Sequence, residues 1–532
     1  LKQFWLKLSY SSCTESFAPL PRASAMAAVP PNPPTTATPT NLFIDRQQTD
    51  ATRVSTLSSL RHAQSIAALQ LVHGEQSAPI SMEWEDVKFS VGDKEILKGC
   101  TGVIQPGVLT GVMGPSGSGK TTMMNVLSGR QRLSGRDRNT GQAVQFSGTM
   151  YACGAPVKPN YFLGKVAYVF QDNAIPMSET PYECFLFSAS LRLPRRVSAE
   201  ERREYVEAML KLLNLWNSKD NHVGSTTRKG LSGGEQKRVA VGVELISNPK
   251  LLFLDEPLSG LDSYNAQTLM ETMKRLAESN VPVMMTVHQP SSEIFEMFTD
   301  IAVMHDGEVC YHGPASAMVK HWEQMNYRCP PFHNPSDFVM SKIQRANKDT
   351  IENIKSSWKT SIAYGKLRDR FDAYLNSVPE SESDDSEADN VSLGKAPKSR
   401  RGYCGALCLL LARDWRTIKY AGMTFIVQQV STVLVALVYG WFFAGKGVAD
   451  RSPNDAPNCD NSNFNKNTCQ ALFSAHLAIL SLVGINISLS SLSMISEALH
   501  RERACFLRER AGGYYDVLPF FLTKQVSEVL MA

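Results

Sequence analysis

Directly after the apolar run "VLTGVM" (Val108–Met113) the chain turns into "GPSGSGKTT", Gly114 to Thr122. Few short stretches restrict a fold as tightly. Glycines let backbone N–H groups wrap phosphate oxygens, Lys120 brings a cation to the β and γ positions, and the Thr121 hydroxyl suits Mg2+. The spacing Gly114-x4-Gly119-Lys120-Thr121 needs a buried strand before it and a helix after it. An α/β domain is therefore expected. Two more apolar runs end in polar residues: "LLFL" (Leu251–Leu254) before Asp255 and Glu256, and "VPVMMTV" (Val281–Val287) before His288. Such runs fit strands buried on both faces, whose C-terminal edge is where α/β proteins hold ligands. Asp255 suits a second Mg2+ anchor, and Glu256 suits a general base that polarises water. A lone histidine is usually structural, but at a third strand end His288 becomes a candidate γ-phosphate contact.

A second glycine-rich stretch, "LSGGEQKR" (Leu231–Arg238), lies where the pattern otherwise reads as helix. Adjacent glycines cost a helix about 1 kcal/mol each relative to alanine. Ser232, Gly233 and Gly234 are instead suited to a backbone lying against an anion at a helix N-terminus. The loop at Gly114 already provides one phosphate cradle, so this one needs another occupant.

Length and composition bound the rest. The 532 residues allow two or three domains. A net charge of +4 from 55 basic and 51 acidic residues gives no case for nucleic acid as a partner. The 11 cysteines show no zinc spacing, which suits a reducing cytosol. Residues 1–78, with "VPPNPPTTATPT", are expected to be a disordered tail, a transit peptide being the alternative. The first methionine is Met26, so part of this tail is open to lying upstream of the true start. The α/β domain is expected over 79–345 and a charged cytosolic linker over 346–402, where "PESESDDSEADN" stands. Ser381 and Ser386 in that linker precede acidic residues in a setting that acid-directed kinases accept; an unregulated spacer is the alternative.

From 403 to 532 the character changes. Windows at 424–444 and 471–495 are long and apolar enough to cross a bilayer, although Gln428, Gln429, His476 and Asn486 interrupt them. Arg413, Arg416 and Lys419 precede the first window; Arg501, Arg503, Arg508 and Arg510 follow the second. The positive-inside rule then puts both ends and the α/β domain in the cytosol and the intervening loop outside. Cys459 and Cys469 bracket that loop, where a disulfide and two free thiols are both open.

The order of motifs carries a resemblance. The loop at Gly114, "VFQDN" with Gln171, "LSGGEQKR", "LLFLDEP", "SGLD" with Asp262 and "TVHQP" with His288 resemble an ABC-transporter ATPase cassette. "ECFLFSASLRLP", "NPSDFVM" and "RERAGGYYDVLPFFLTKQVSE" narrow the resemblance to the G subfamily, the white/pleiotropic-drug-resistance type. It implies an α/β P-loop NTPase fold with a helical subdomain, followed by an all-α transmembrane region. It implies an ATPase coupled to export, with ATP and Mg2+ bound, in a multi-pass protein of a membrane. A second half-transporter, membrane lipid and a hydrophobic substrate (lipid, sterol or xenobiotic) are the implied partners.

Carried onto this chain, ATP is expected on Gly114, Pro115, Ser116, Gly117, Ser118, Gly119, Lys120, Thr121 and Thr122, with Phe89 as the base-stacking aromatic. Trp84 is the fallback for that role, and core packing is the alternative for either ring. Mg2+ is expected on Thr121, Gln171 and Asp255, and the chemistry on Glu256, His288 and Gln171. Ser232, Gly233, Gly234 and Glu235 would face ATP held by the partner chain, with Asp262 linking the two sites. The family carries six spans where two are found here, and Ala532 lies in what resembles the approach to a third. A fragment or a truncated gene model is expected. A soluble ABC-type ATPase without transport, or a detached importer ATPase, are the competing readings.

Overall fold

The computed structural model describes residues 79–377 except 138–139, 159 and 225–229, then 402–420, scattered positions between 430 and 485, and 502–531. The expected tail, the expected disulfide at Cys459 and Cys469, and Ser381 and Ser386 lie outside the described residues. So does most of both expected spans. Among the described residues no helix is long and apolar enough to cross a membrane.

Two sheets build the α/β part. The first is antiparallel, in the order β2-β1-β5-β4, with β6 on β5. Its strands are β1 (Met82–Val91), β2 (Lys94–Ile104), β4 (Gly135–Arg136), β5 (Ala143–Ala152) and β6 (Ala155–Val157). The second has the order β11-β10-β3-β9-β8-β7. It comprises β3 (Leu109–Met113), β7 (Val166–Val169), β8 (Leu251–Leu254), β9 (Val283–Thr286), β10 (Asp300–His305) and β11 (Glu308–Pro314). Its pairings are parallel except β10 with β11. All four residues of β7, β8 and β9 are buried, as continuous apolar runs in a two-sided parallel sheet require. The C-terminal ends of β3, β9, β8 and β7 therefore lie side by side, and each carries one of the motifs.

Helices α1 (Lys120–Leu127), α2 (Pro181–Arg192), α3 (Ala199–Leu212), α4 (Gly233–Leu245) and α5 (Ser263–Glu278) follow in chain order. Capping boxes fix the starts of α2, α3 and α4 through Thr180–Glu183, Ser198–Glu201 and Ser232–Glu235. Each box satisfies two otherwise unpaired backbone donors, so these starts are sharp.

The stretch expected to be a linker from 346 is ordered at its beginning. Helices α6 (Ser292–Glu296), α7 (Ala315–Gln324) and α8 (Pro335–Arg345) are followed by α9 (Lys348–Lys359) and α10 (Ile362–Ser377). Ile351, Ile354 and Trp358 of α9 are buried, and Lys355 and Lys359 both pair with Glu308 of β11. Burial of an apolar stripe at helical spacing outweighs the polarity of the rest, so the packed body runs past 345.

Nearer the C-terminus, α11 (Tyr403–Tyr420), the helical residues 502–511 and α12 (Val517–Met531) pack together. Arg413 pairs with Glu509 at 2.7 Å, and Lys524 pairs with Asp414 at 2.9 Å and Glu502 at 2.7 Å. Arg416 pairs with Glu179 at 2.7 Å and joins this group to the cassette, aided by Ser178 and Thr417 at 2.9 Å.

Candidate functional site

The loop between β3 and α1 is shaped by its glycines. Gly119 caps α1 with φ 97°, a left-handed conformation that a β-carbon would strain. Ser116 and Gly117 are exposed at the loop tip, while Ser118 is buried. Lys120 is only 7% exposed, and its ammonium donates to the carbonyls of Gly114 and Pro115, both at 2.9 Å. Burial lowers its pKa, against the opposing pull of Glu256 and Asp255.

Asp255, at the end of β8, gathers the polar groups beneath that loop. Its Oδ1 accepts from Thr121 at 3.1 Å and from Thr286 at 2.8 Å, and its Oδ2 accepts from Tyr168 at 3.3 Å. Burial raises the Tyr168 hydroxyl far above its ordinary pKa, and the Asp255 charge adds to the effect, so it stays a donor. Thr286 also accepts the backbone N–H of Glu256 at 2.7 Å. Glu256 sits at φ 44°, a left-handed backbone that costs a non-glycine residue about 1–3 kcal/mol. Gln171, just beyond β7, donates from Nε2 to Glu256 Oε2 at 2.9 Å. Thr121, Asp255 and Gln171 thus offer hydroxyl, carboxylate and carboxamide oxygens in one place, a set suited to a hard divalent cation. Among the described residues no cluster of three or more His, Cys, Asp or Glu is placed to hold a metal.

The structure brings the loop, Asp255, Glu256 and Gln171 together, and His288 follows β9 with an exposed side chain. Phe89 lies beside the loop without opening onto it: it pairs across the strands with Leu97, which sits 3.1 Å from where a β-carbon on Gly119 would be. Phe89 is 1% exposed on β1, and Trp84, the fallback, is 0% exposed. Within β1, Val87 and Phe89 point into the core while Lys88 points away from it, so the Phe89 ring offers no open face for a base.

At the other glycine stretch, Ser232 caps α4 and Gly233 opens it. The Ser232 hydroxyl accepts from Glu235 N–H at 3.3 Å and donates to Glu235 Oε2 at 2.9 Å; the Ser218 hydroxyl also donates to Glu235. The two glycines differ. A β-carbon on Gly234 would lie 2.5 Å from Asn265 Cγ, so this glycine is required by α5. A β-carbon on Gly233 would meet nothing within 4 Å. Asn265 accepts from Arg238 at 3.0 Å and donates to the exposed Asp262, tying the start of α5 to α4.

Four neighbours of the site were not singled out in the sequence: Tyr168 and Asn265, and Thr286 and Lys237 although they stand within "TVHQP" and "LSGGEQKR". Thr286 is the polar end of an apolar strand, the same signal that marks Asp255. Tyr168 and Asn265 have no comparable marker.

A family model described as "ABC transporter" matches residues 97–259, and one described as "ABC-2 type transporter" matches residues 405–532. The chain is 31% identical over 465 residues to ABC transporter G family member 7 of Arabidopsis thaliana, covering 86% of this chain and 60% of that protein. It is 28% identical over 462 residues to the broad substrate specificity ATP-binding cassette transporter ABCG2 of Mus musculus, covering 82% and 64%. Protein scarlet of Drosophila melanogaster is 41% identical over 310 residues, 56% of this chain and 44% of that protein. The chain spans less than two thirds of the length of these relatives.

Proposed function

The chain belongs to the ABC transporters of the G family, and from that premise we propose that it is the ATP-hydrolysing half-subunit of an exporter. The substrate class is lipid, sterol or xenobiotic, the cassette faces the cytosol, and a second half-transporter completes the assembly. The observation that carries the ATPase reading is the convergence on Asp255: Thr121 at 3.1 Å from the helix after the phosphate loop, with Gln171 and Glu256 paired at 2.9 Å beside it.

In this reading the backbone N–H groups from Ser116 to Thr122 bind the phosphates, and Lys120 exchanges its contacts with the Gly114 and Pro115 carbonyls for the β- and γ-phosphate oxygens. Thr121, Asp255 and Gln171 would hold Mg2+, which when bound neutralises charge on the phosphate oxygens. Thr286 and Tyr168 fix the Asp255 carboxylate by donating to both of its oxygens. Glu256 accepts a proton from the attacking water at the oxygen that otherwise takes the Gln171 N–H, and His288 steadies the γ-phosphate. The exposed start of α4, with open space at Gly233, favours a site that receives the partner chain's nucleotide. The match at 405–532 to a membrane-transporter family favours export over a soluble ATPase.

Phosphate release by the purified chain with Mg-ATP tests the ATPase reading. Activity that disappears in Lys120→Ala is expected; no activity above buffer in a folded preparation that binds ATP would refute it. Carbonate extraction of the tagged chain tests the membrane reading. Retention in the pellet is expected, and release to the supernatant would leave the soluble ATPase.

A further inference from the structure

Lys237 lies on α4, five residues after Ser232, and is 3% exposed. Its ammonium donates to the backbone carbonyl of Gln171 at 2.7 Å and to that of Phe170 at 3.3 Å. Burying an ammonium is costly unless acceptors meet it, so these two contacts explain why the residue is tolerated there. Residues 168–171 are gripped from a second direction. The Arg130 guanidinium, just beyond α1, lies 5.1 Å from the Tyr168 ring centre and 5.2 Å from that of Phe170. The segment leading into Gln171 is thus held by one cation just past the helix that follows the phosphate loop and one from the helix that Ser232 caps.

We propose that Lys237 is a positioning residue that ties the start of α4 to Gln171, so that a chain's contact with its partner's nucleotide and the orientation of its own Glu256 change together. The contacts form a continuous path. The Ser232–Glu235 box fixes the first turn of α4, and Lys237 leaves the next turn for the Gln171 carbonyl. The Gln171 carboxamide then donates to Glu256 at 2.9 Å. A displacement of the α4 start would be passed to the Gln171 backbone, because the helix and its capped turn move as a unit. The two ATP sites of an assembly would thereby be coupled within each chain as well as across the interface. The inference rests on the composite-site reading given above.

The test compares the full chain with Lys237→Met, Gln171→Ala and the double substitution, by hydrogen exchange without nucleotide and by steady-state ATP hydrolysis. Methionine keeps the stem and removes the ammonium, leaving both carbonyls without that donor. Exchange of the amides of β7 (Val166–Val169), which leads into Gln171, should quicken by about tenfold while α4 keeps its protection, since a lost charged hydrogen bond is of that order. The kcat of Lys237→Met should fall by about tenfold with KM for ATP within about twofold, because Lys120 and its loop are untouched. Added to Gln171→Ala, the substitution should cost little more, the two acting in series. Unchanged exchange with unchanged kcat, or full additivity in the double variant, would overturn the proposal. Loss of protection throughout α4 would also overturn it, since Lys237 would then be holding the helix together. A wild-type chain that binds ATP without hydrolysing it would sink the ATPase reading alone, and the exchange comparison would still decide the role of Lys237.

Discussion

Glu256 is the residue on which the proposed chemistry turns; it sits in a left-handed backbone and accepts from Gln171 at 2.9 Å. Glu256→Gln should keep Mg-ATP binding and lower phosphate release by about 100-fold or more, since the phosphate and cation contacts remain while the base is lost. Equilibrium binding beside a phosphate assay checks this; unchanged hydrolysis would remove Glu256 from the role. His312, buried on β11, gives the cassette an acid limit. Burial pushes its pKa down to about 4 from an ordinary 6.5. The unfolded chain takes up this proton below pH 6.5 while the folded one does so only near pH 4, so stability falls as pH falls through that window. The full loss is about 3 kcal/mol at 1.36 kcal/mol per pH unit. Urea unfolding at several pH values should show a slope that His312→Leu flattens; an identical slope in both would contradict it. At this scale the sequence was readable where polar residues end apolar runs, as at Asp255, Glu256 and His288. For Phe89 the alternative of core packing fits its burial, since strand alternation turns the ring inward with Val87. Lys237 was passed over because a lysine on a helix usually faces water, and nothing local signals the two carbonyls it meets.

Helix α4 shows why two glycines stand together. Gly234→Ala forces a β-carbon to 2.5 Å from Asn265 Cγ and should displace the side chain that joins Arg238 to Asp262. A loss of about 1–3 kcal/mol is expected in denaturant unfolding, the usual cost of overpacking. Gly233→Ala meets no neighbour and should leave stability within about 0.5 kcal/mol or raise it, alanine being the better helix former. Yet it should reduce ATP hydrolysis, if the open face receives a nucleotide. Full activity in Gly233→Ala would count against that. Three strands of the large sheet, β3, β8 and β9, were legible as elements because each is short, apolar and ends in chemistry; β7, β10 and β11 were not singled out. Helix α9 was not recognised, though Ile351, Ile354, Lys355 and Trp358 follow the i, i+3, i+4, i+7 spacing of a packed face. The acidic run that follows drew the whole stretch into the linker.

Across the molecule, the parts matched by the two family models meet through buried charge. Arg416 on α11 pairs with Glu179, which is 1% exposed in the cassette. Arg416→Met removes the half-buried ion-pair partner of that carboxylate and should weaken the contact by about 1–3 kcal/mol, the usual cost of losing a charged hydrogen bond. Faster hydrogen exchange in α11 with an unchanged cassette sheet would register it; unaltered exchange would mean that other contacts hold the two parts. No sequence pattern announced this pairing, because its members are 237 residues apart. The proposed composite nucleotide site would be a larger case of the same kind, since half of it would belong to another chain.

Its most direct test uses two mixed pairs bearing the same two lesions, Lys120→Ala and Ser232→Arg, purified by two different tags. With the lesions on separate chains, composite sites lose one site twice and keep the other whole. With both lesions on one chain beside a wild-type partner, each composite site is damaged once. More ATP hydrolysis from the separated arrangement is therefore predicted. More hydrolysis from the doubly mutated chain with its wild-type partner would mean that Ser232 serves the nucleotide of its own chain, contradicting the composite site.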